Sequence, residues 1–167
     1  MPKQKPGKSK QNYGTPPEFL AAVKKLLGID KFNLDIAADA TNSVAEAFYT
    51  EEMDALKDEN SWNPNDPSGW SWLNPPYSNL EPWTRKACFE AANGAKIAML
   101  LPASVGSNWW RNWVNGKAVV LFLNGRLTFV GEKAPYPKDS ALLLYWGGVT
   151  PALARYSVWD WKKGEIY

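Results

Sequence analysis

Apolar runs alternate with helical patterns along the first two-thirds of the chain, and this alternation restricts the fold more than any other feature. Phe32 to Ala38 (FNLDIAA), Trp70 to Leu73 and Lys96 to Pro102 (KIAMLLP) read as strands. The segment from Pro16 through FLAAVKKLL to Gly28 reads as a helix, as do Ser78 to Asn93 and the NWWRNWVN segment after Ser107. Thr15-Pro16-Pro17-Glu18 and Ser78-Asn79-Leu80-Glu81 both match a capping box, a hydroxyl cap with an acid three residues on. Strands separated by helices imply a parallel sheet covered on both faces, since a parallel crossover needs a helix to close it. Ala118 to Leu123, Arg126 to Val130, Ala141 to Trp146 and Arg155 to Trp159 follow with little helix between them, which predicts an antiparallel edge. Residues 43–56 are ambiguous, with a short strand at AFYT, and 57–69 (KDENSWNPNDPSG) are loop by composition.

In sheets of this kind ligands sit outside the carboxyl ends of the strands. Two segments fall there, Asp35-Ile36-Ala37-Ala38 and Asn74-Pro75-Pro76-Tyr77. Two prolines end a strand and stiffen the chain, because proline has no N–H for the ladder and restricts the residue before it. The Asn74 amide offers an acceptor and a donor, and Pro75 keeps its carbonyl. Two fixed acceptors can receive both hydrogens of an amino group, while Tyr77 offers a flat face for a planar ring. The combination reads as a clamp for an amine on a planar heterocycle, with the ring face of Tyr77 rather than its hydroxyl as the active part. An acid inside the otherwise apolar segment at Asp35 needs a partner.

Composition removes competing chemistries. The chain has 167 residues, one cysteine and no histidine. Ser-His-Asp and Cys-His nucleophilic sites and Cys/His zinc sites are therefore excluded, and no metal is expected. A lone Cys88 allows no intrachain disulfide framework and suits a reducing cytoplasm. No apolar run approaches a membrane span, and no signal peptide is read. Net charge is +2, yet Lys3, Lys5, Lys8 and Lys10 stand in one segment that contains no acid. Residues 1–11 thus read as a basic, disordered tail suited to phosphate or to solubility, and 12–167 as a single domain. The ten tryptophans are read mainly as core, with one or two free to stack on a ligand.

The ordered set YGTPPEFL, FNLDIAAD, FYTEEMDAL, SWLNPPYS, IAMLLPAS and NGRLTFVG resembles the phage-type, Dam-like DNA N-6-adenine methyltransferases. Asn-Pro-Pro-Tyr alone is also shared by protein-glutamine and some RNA methyltransferases. The resemblance implies a Rossmann-like α/β fold, mostly parallel, using S-adenosylmethionine on double-stranded DNA in the cytoplasm of a bacterial or phage-infected cell. It implies that Asn74 and the Pro75 carbonyl hold the adenine amine, that Pro76 keeps the turn rigid and that Tyr77 stacks on the flipped base. Asp35 and backbone at Ala37 would meet the cofactor. Thr15 and Pro16 would touch its methionine part, and Asp54 would lie near cofactor or adenine. Where many methyltransferases have a glycine-rich loop, this chain has Ala37-Ala38-Asp39-Ala40. Specificity is expected in short loops, at 57–69 or 131–139. Other readings of the residues are methylation of cytosine, RNA or protein glutamine, and a non-catalytic, tryptophan-rich nucleic-acid-binding module.

Overall fold

The computed structural model describes residues 14–63, 66 and 68–167, so the basic segment 1–11 lies outside the described residues. The elements in order are α1 (Pro17–Leu27), β1 (Leu34–Asp35), β2 (Ser71–Leu73), α2 (Glu81–Ala92), β3 (Ile97–Pro102), α3 (Asn108–Trp113), β4 (Val119–Leu123), β5 (Ser140–Tyr145), β6 (Tyr156–Asp160) and β7 (Glu165–Ile166). Their strands join in one sheet of order β1-β2-β3-β5-β4-β6-β7.

The sheet is mixed, not mostly parallel. β1, β2 and β3 pair in parallel, as do β4 and β6. β5 runs antiparallel to both β3 and β4, and β7 runs antiparallel to β6. The antiparallel edge is β7, which the sequence did not mark, whereas of the strands expected there β5 sits in the middle and β6 runs parallel to β4. The cause is connectivity: β5 returns from β4 without a helix, so it pairs with β4 in the opposite sense and fills the place beside β3.

Period-2 alternation divides the side chains between two layers. On one face, Leu73, Ile97, Met99, Leu101 and Val120 pack with Ala87 and Ala91 of α2 and Trp110 of α3. On the other, Trp72, Ala98, Leu100, Leu121 and Trp159 pack with Phe19 and Val23 of α1. β3 and β5 are buried along their whole length, which suits their continuous apolar runs. Trp62, Trp72, Trp110 and Trp159 are all buried, so these indoles are core.

Several local expectations shift. α1 starts at Pro17 with Pro16 as its cap residue, so Thr15 stands one place too early to cap it. α2 likewise starts at Glu81 with Leu80 at the cap position, two residues beyond Ser78. In both cases a proline in the first helical positions fixes the start. Gly28 ends α1 in the left-handed region (φ 67°), where its N–H and that of Ile29 close onto the Lys25 and Lys24 carbonyls. The strand expected over Phe32–Ala38 contracts to two residues, because the Asp35 carboxylate turns the chain back on itself. Arg126–Val130 forms no strand; only Val130 bridges, to Gly14, while Leu127 and Phe129 point into the core.

Candidate active site

β1 and β2 end side by side, with Leu34 opposite Ser71 and Asp35 opposite Trp72. The Ile36 N–H continues this pairing by donating to the Trp72 carbonyl at 2.9 Å. Ala37 and Asn74 therefore leave the sheet at neighbouring strand ends, about 5 Å apart in the spacing of paired strands. Proline at 75 and 76 stops the ladder there, and Pro75 is buried.

The Asn74 carboxamide is held at both ends. Its Oδ1 accepts the Tyr77 hydroxyl at 2.7 Å. Its Nδ2 donates to Thr15 Oγ1 at 3.2 Å. The Thr15 side chain that does not cap α1 thus binds Asn74 across 59 residues of sequence, and Pro16, buried beside it, sets the turn. Tyr77 is half-buried, and its ring meets Phe129 at 6.4 Å and Tyr136 at 5.7 Å, edge to face. Phe129 and Tyr136 complete the triangle at 5.6 Å. The Tyr77 hydroxyl is consequently part of the motif, and not only its ring face as the sequence suggests. Phe129 lies in the NGRLTFVG segment, read as a strand and not as a site, and Tyr136 carries no signal beyond an aromatic between two prolines.

Asp35 closes β1 with only 3% exposure. Its Oδ1 accepts the Ala37 N–H at 3.3 Å and its Oδ2 accepts the Val44 N–H at 3.0 Å. The Asp35 backbone is bracketed by the same returning segment: its N–H donates to the Ala47 carbonyl and its carbonyl accepts the Tyr49 N–H. Residues 47–49 therefore run beside β1, with a parallel bridge at Phe48, where the sequence suggests a short strand. Burial pushes the Asp35 carboxyl up to about 6, against the two backbone hydrogen bonds that lower it. Asp54 stands apart on segment 50–62. It is exposed, adopts a left-handed φ of 54°, and its Oδ1 accepts the Leu56 N–H at 3.1 Å.

A cavity of about 850 Å³ opens beside β1, lined by Phe32, Leu34, Val44, Tyr49, Glu59 and neighbours, and none of the expected site residues lines it. Among the described residues no helix is long and apolar enough to cross a membrane. Among them, too, no group of three or more His, Cys, Asp or Glu side chains is placed to hold a metal ion.

The fold and site define an α/β protein that holds an Asn-Pro-Pro-Tyr turn at the carboxyl end of a parallel strand. The chain belongs to the DNA N-6-adenine-methyltransferase (Dam) family, which it matches over residues 3–143. It is 34% identical over 116 residues, 70% of its length, to a DNA N-6-adenine-methyltransferase of Escherichia phage T1. It is 29% identical over 111 residues, 65% of its length, to a DNA N-6-adenine-methyltransferase of Haemophilus phage HP1. These matches take in 46% and 61% of the two phage proteins, so the chain spans about half the length of the relatives it resembles.

Proposed function

We propose that the chain transfers a methyl group from S-adenosylmethionine to the 6-amino group of adenine in double-stranded DNA, on a Rossmann-like methyltransferase fold. The observation that carries this reading is the two-ended hold on Asn74. A carboxamide pinned by Tyr77 on its oxygen and by Thr15 on its nitrogen keeps Oδ1 aimed in one direction. An amide oxygen has two lone pairs, so Oδ1 can take an amino hydrogen as well as the Tyr77 hydroxyl. With the Pro75 carbonyl receiving the second hydrogen, the amine's lone pair is turned out of conjugation with the ring and becomes nucleophilic. Positioning of this kind supplies rate without a histidine base. Pro76 keeps the carbonyl and the ring in fixed relation.

S-adenosylmethionine supplies an electrophilic methyl on a sulfonium. The residues at the strand ends fit such a group. Asp35 is a buried acid at the end of β1 whose two backbone donors only partly offset its burial, so a cofactor cation or hydroxyl would favour its charged form, and Ala37 presents backbone beside Asn74. Thr15 is bonded to Asn74 and Pro16 is buried beside it, so these two would hold the methionine part of the cofactor. Asp54 supplies a further carboxylate from its own loop.

A base paired inside a duplex cannot offer its amino group to two acceptors and its face to a ring, so it must leave the stack. Tyr77, supported edge-on by Phe129 and Tyr136, offers the stacking face. Residues 131–139 are the better of the two expected specificity segments, because Tyr136 touches Tyr77 while 57–63 is tied to α2. The reading puts the enzyme with DNA in the cytoplasm of a bacterial or infected cell. Methylation of mixed-sequence DNA with methyl-labelled cofactor, followed by nucleoside analysis, tests it. Label is expected in N6-methyladenine alone. Label in cytosine, or none with a folded enzyme, overturns the assignment.

A further inference from the structure

Lys86 stands on α2, away from the Asn74 clamp, and its side chain is only 12% exposed. Its ammonium donates to three backbone carbonyls, those of Ala55 at 2.9 Å, Lys57 at 2.5 Å and Asn60 at 2.8 Å. An ammonium has three hydrogens, so these acceptors use its whole donor capacity. Glu90, one turn on, lies 3.8 Å from the same ammonium, and its other oxygen accepts the Trp62 N–H at 3.1 Å. The Trp62 indole lies 5.4 Å beneath the Lys86 charge and stacks on Trp83 at 6.0 Å. Trp83, Lys86 and Glu90 thus form one stripe of α2, at positions i, i+3 and i+7, turned wholly to residues 53–62.

That segment has neither helix nor strand to satisfy its backbone, and Ala55 within it is buried. Buried carbonyls need donors, and here side chains provide them. Trp62 Nε1 joins Lys86 on the Ala55 carbonyl at 2.8 Å. Asn60 Nδ2 donates to the Met53 and Asp54 carbonyls, both at 2.8 Å. Between these bonds stands the exposed Asp54, whose backbone carbonyl takes one of them and which is the only non-glycine with positive φ among the described residues. A left-handed aspartate persists where its surroundings over-determine it, and such residues gather at functional sites.

We infer that Lys86 is a positioning residue, which acts through the backbone of 55–60 to hold the Asp54 carboxylate in place for the cofactor. The inference rests on the assignment of Asp54 to the cofactor made above. Desolvation lowers the Lys86 pKa, while Glu90, Asp58 and Asp54 raise it, so the loop's own acids help to keep the ammonium charged.

The test is a cycle on the full chain with Lys86→Met, Asp54→Asn and both together. S-adenosylmethionine affinity is measured by calorimetry and protection of the 53–60 amides by hydrogen exchange. Lys86→Met is expected to weaken cofactor binding about ten- to hundredfold, the scale of losing buried charge-assisted hydrogen bonds. In the Asp54→Asn background the same change should alter affinity less than about twofold, while the loss of amide protection is equal in both backgrounds. A purely structural Lys86 would weaken binding equally in both, and that result overturns the proposal. So does unchanged affinity in Lys86→Met or in Asp54→Asn alone. If Lys86→Met does not fold, Lys86→Gln, which keeps two donors, replaces it in the cycle, and the same outcomes support or overturn the proposal. A wild-type chain with no affinity for the cofactor overturns the methyltransferase reading and the Asp54 role with it. Hydrogen exchange still separates that outcome from a Lys86 that never held the loop.

Discussion

Loops 53–62 and 124–139 both carry hydrogen bonds, but different side chains tie them to their neighbours. The first is tied by polar side chains from α2, with Trp62 fully buried under Lys86 and Trp83. The second meets the motif through aromatic edges at Tyr136 and Phe129, and its residues 130–135 and 137–139 are exposed. Hydrogen bonds are directional and fix a backbone in one place; edge-to-face rings tolerate sliding. The second loop is anchored by the Tyr136 N–H on the Leu127 carbonyl at 2.7 Å and the Val130 N–H on the Gly14 carbonyl at 2.9 Å, and its exposed residues 131–135 and 137–139 lie between the Val130 anchor and Ser140.

The comparison can be broken most severely at Trp62. Trp62→Ala should cost about 3–5 kcal/mol of stability, the usual effect of removing a buried indole, and is read by thermal or urea unfolding. A loss under about 1 kcal/mol would mean that the first loop is no more anchored than the second. The Asn74 clamp gives the next largest effect. Asn74→Ala should lower turnover about 10²–10³-fold, comparable with losing one preorganised polar group, while cofactor affinity and melting temperature hold. Turnover within a few-fold of wild type would remove Asn74 from the chemistry.

Asp35 sharpens the picture through pH. Its carboxyl is raised from 3.8 to about 6 in the folded chain, so the native state binds the proton more tightly than the unfolded state. The stability from this group is present below about pH 4 and is lost as pH climbs through about 6. Asp35→Asn should flatten that part of the stability–pH curve, a difference of about 2–3 kcal/mol across the window. Parallel curves for the two proteins would mean that the folded chain does not raise this carboxyl. Bound cofactor should reduce the wild-type slope if it supplies a cation or donors to the carboxylate.

Smaller effects are expected in the second loop. Tyr136→Ala should leave melting nearly unchanged yet weaken DNA-dependent turnover about ten- to hundredfold, through a Tyr77 ring that has lost its edge support. Tyr77→Phe tests the hydroxyl: the bond to Asn74 Oδ1 implies a measurable loss of kcat, where a ring acting only by stacking would lose none. Smallest of all, Arg126→Ala removes an exposed ion pair to Asp139 at 3.3 Å and should shift stability by no more than about 0.5 kcal/mol. A larger shift would mean that this ion pair, too, pins the second loop.

The strands and helices of the first two-thirds were legible because a strand covered on both faces reads as a short continuous apolar run set between helical patterns, as β2 and β3 do. The turn after β2 was legible for another reason: Asn74, Pro75, Pro76 and Tyr77 are contiguous, and two prolines restrict the backbone locally. The parallel sense of β1, β2 and β3 was legible from the helices between them, but the place and sense of β5 were not. Whether β5 inserts beside β3 depends on which edge is open after β4 forms, and period-2 alternation reads the same in either sense.

The sequence by itself determined the residue types available: no histidine, a stiff Asn-Pro-Pro-Tyr turn, an acid in an apolar run, and the order of motifs that marks the family. Tertiary structure alone decided that Thr15 binds Asn74 rather than capping α1, that Tyr136 and Phe129 support Tyr77, and that Lys86 wires the Asp54 loop. Each of those three links joins residues between 26 and 59 positions apart through a single side chain. A local pattern carries the energy of neighbours along the chain, while a contact across tens of residues depends on how the whole sheet closes.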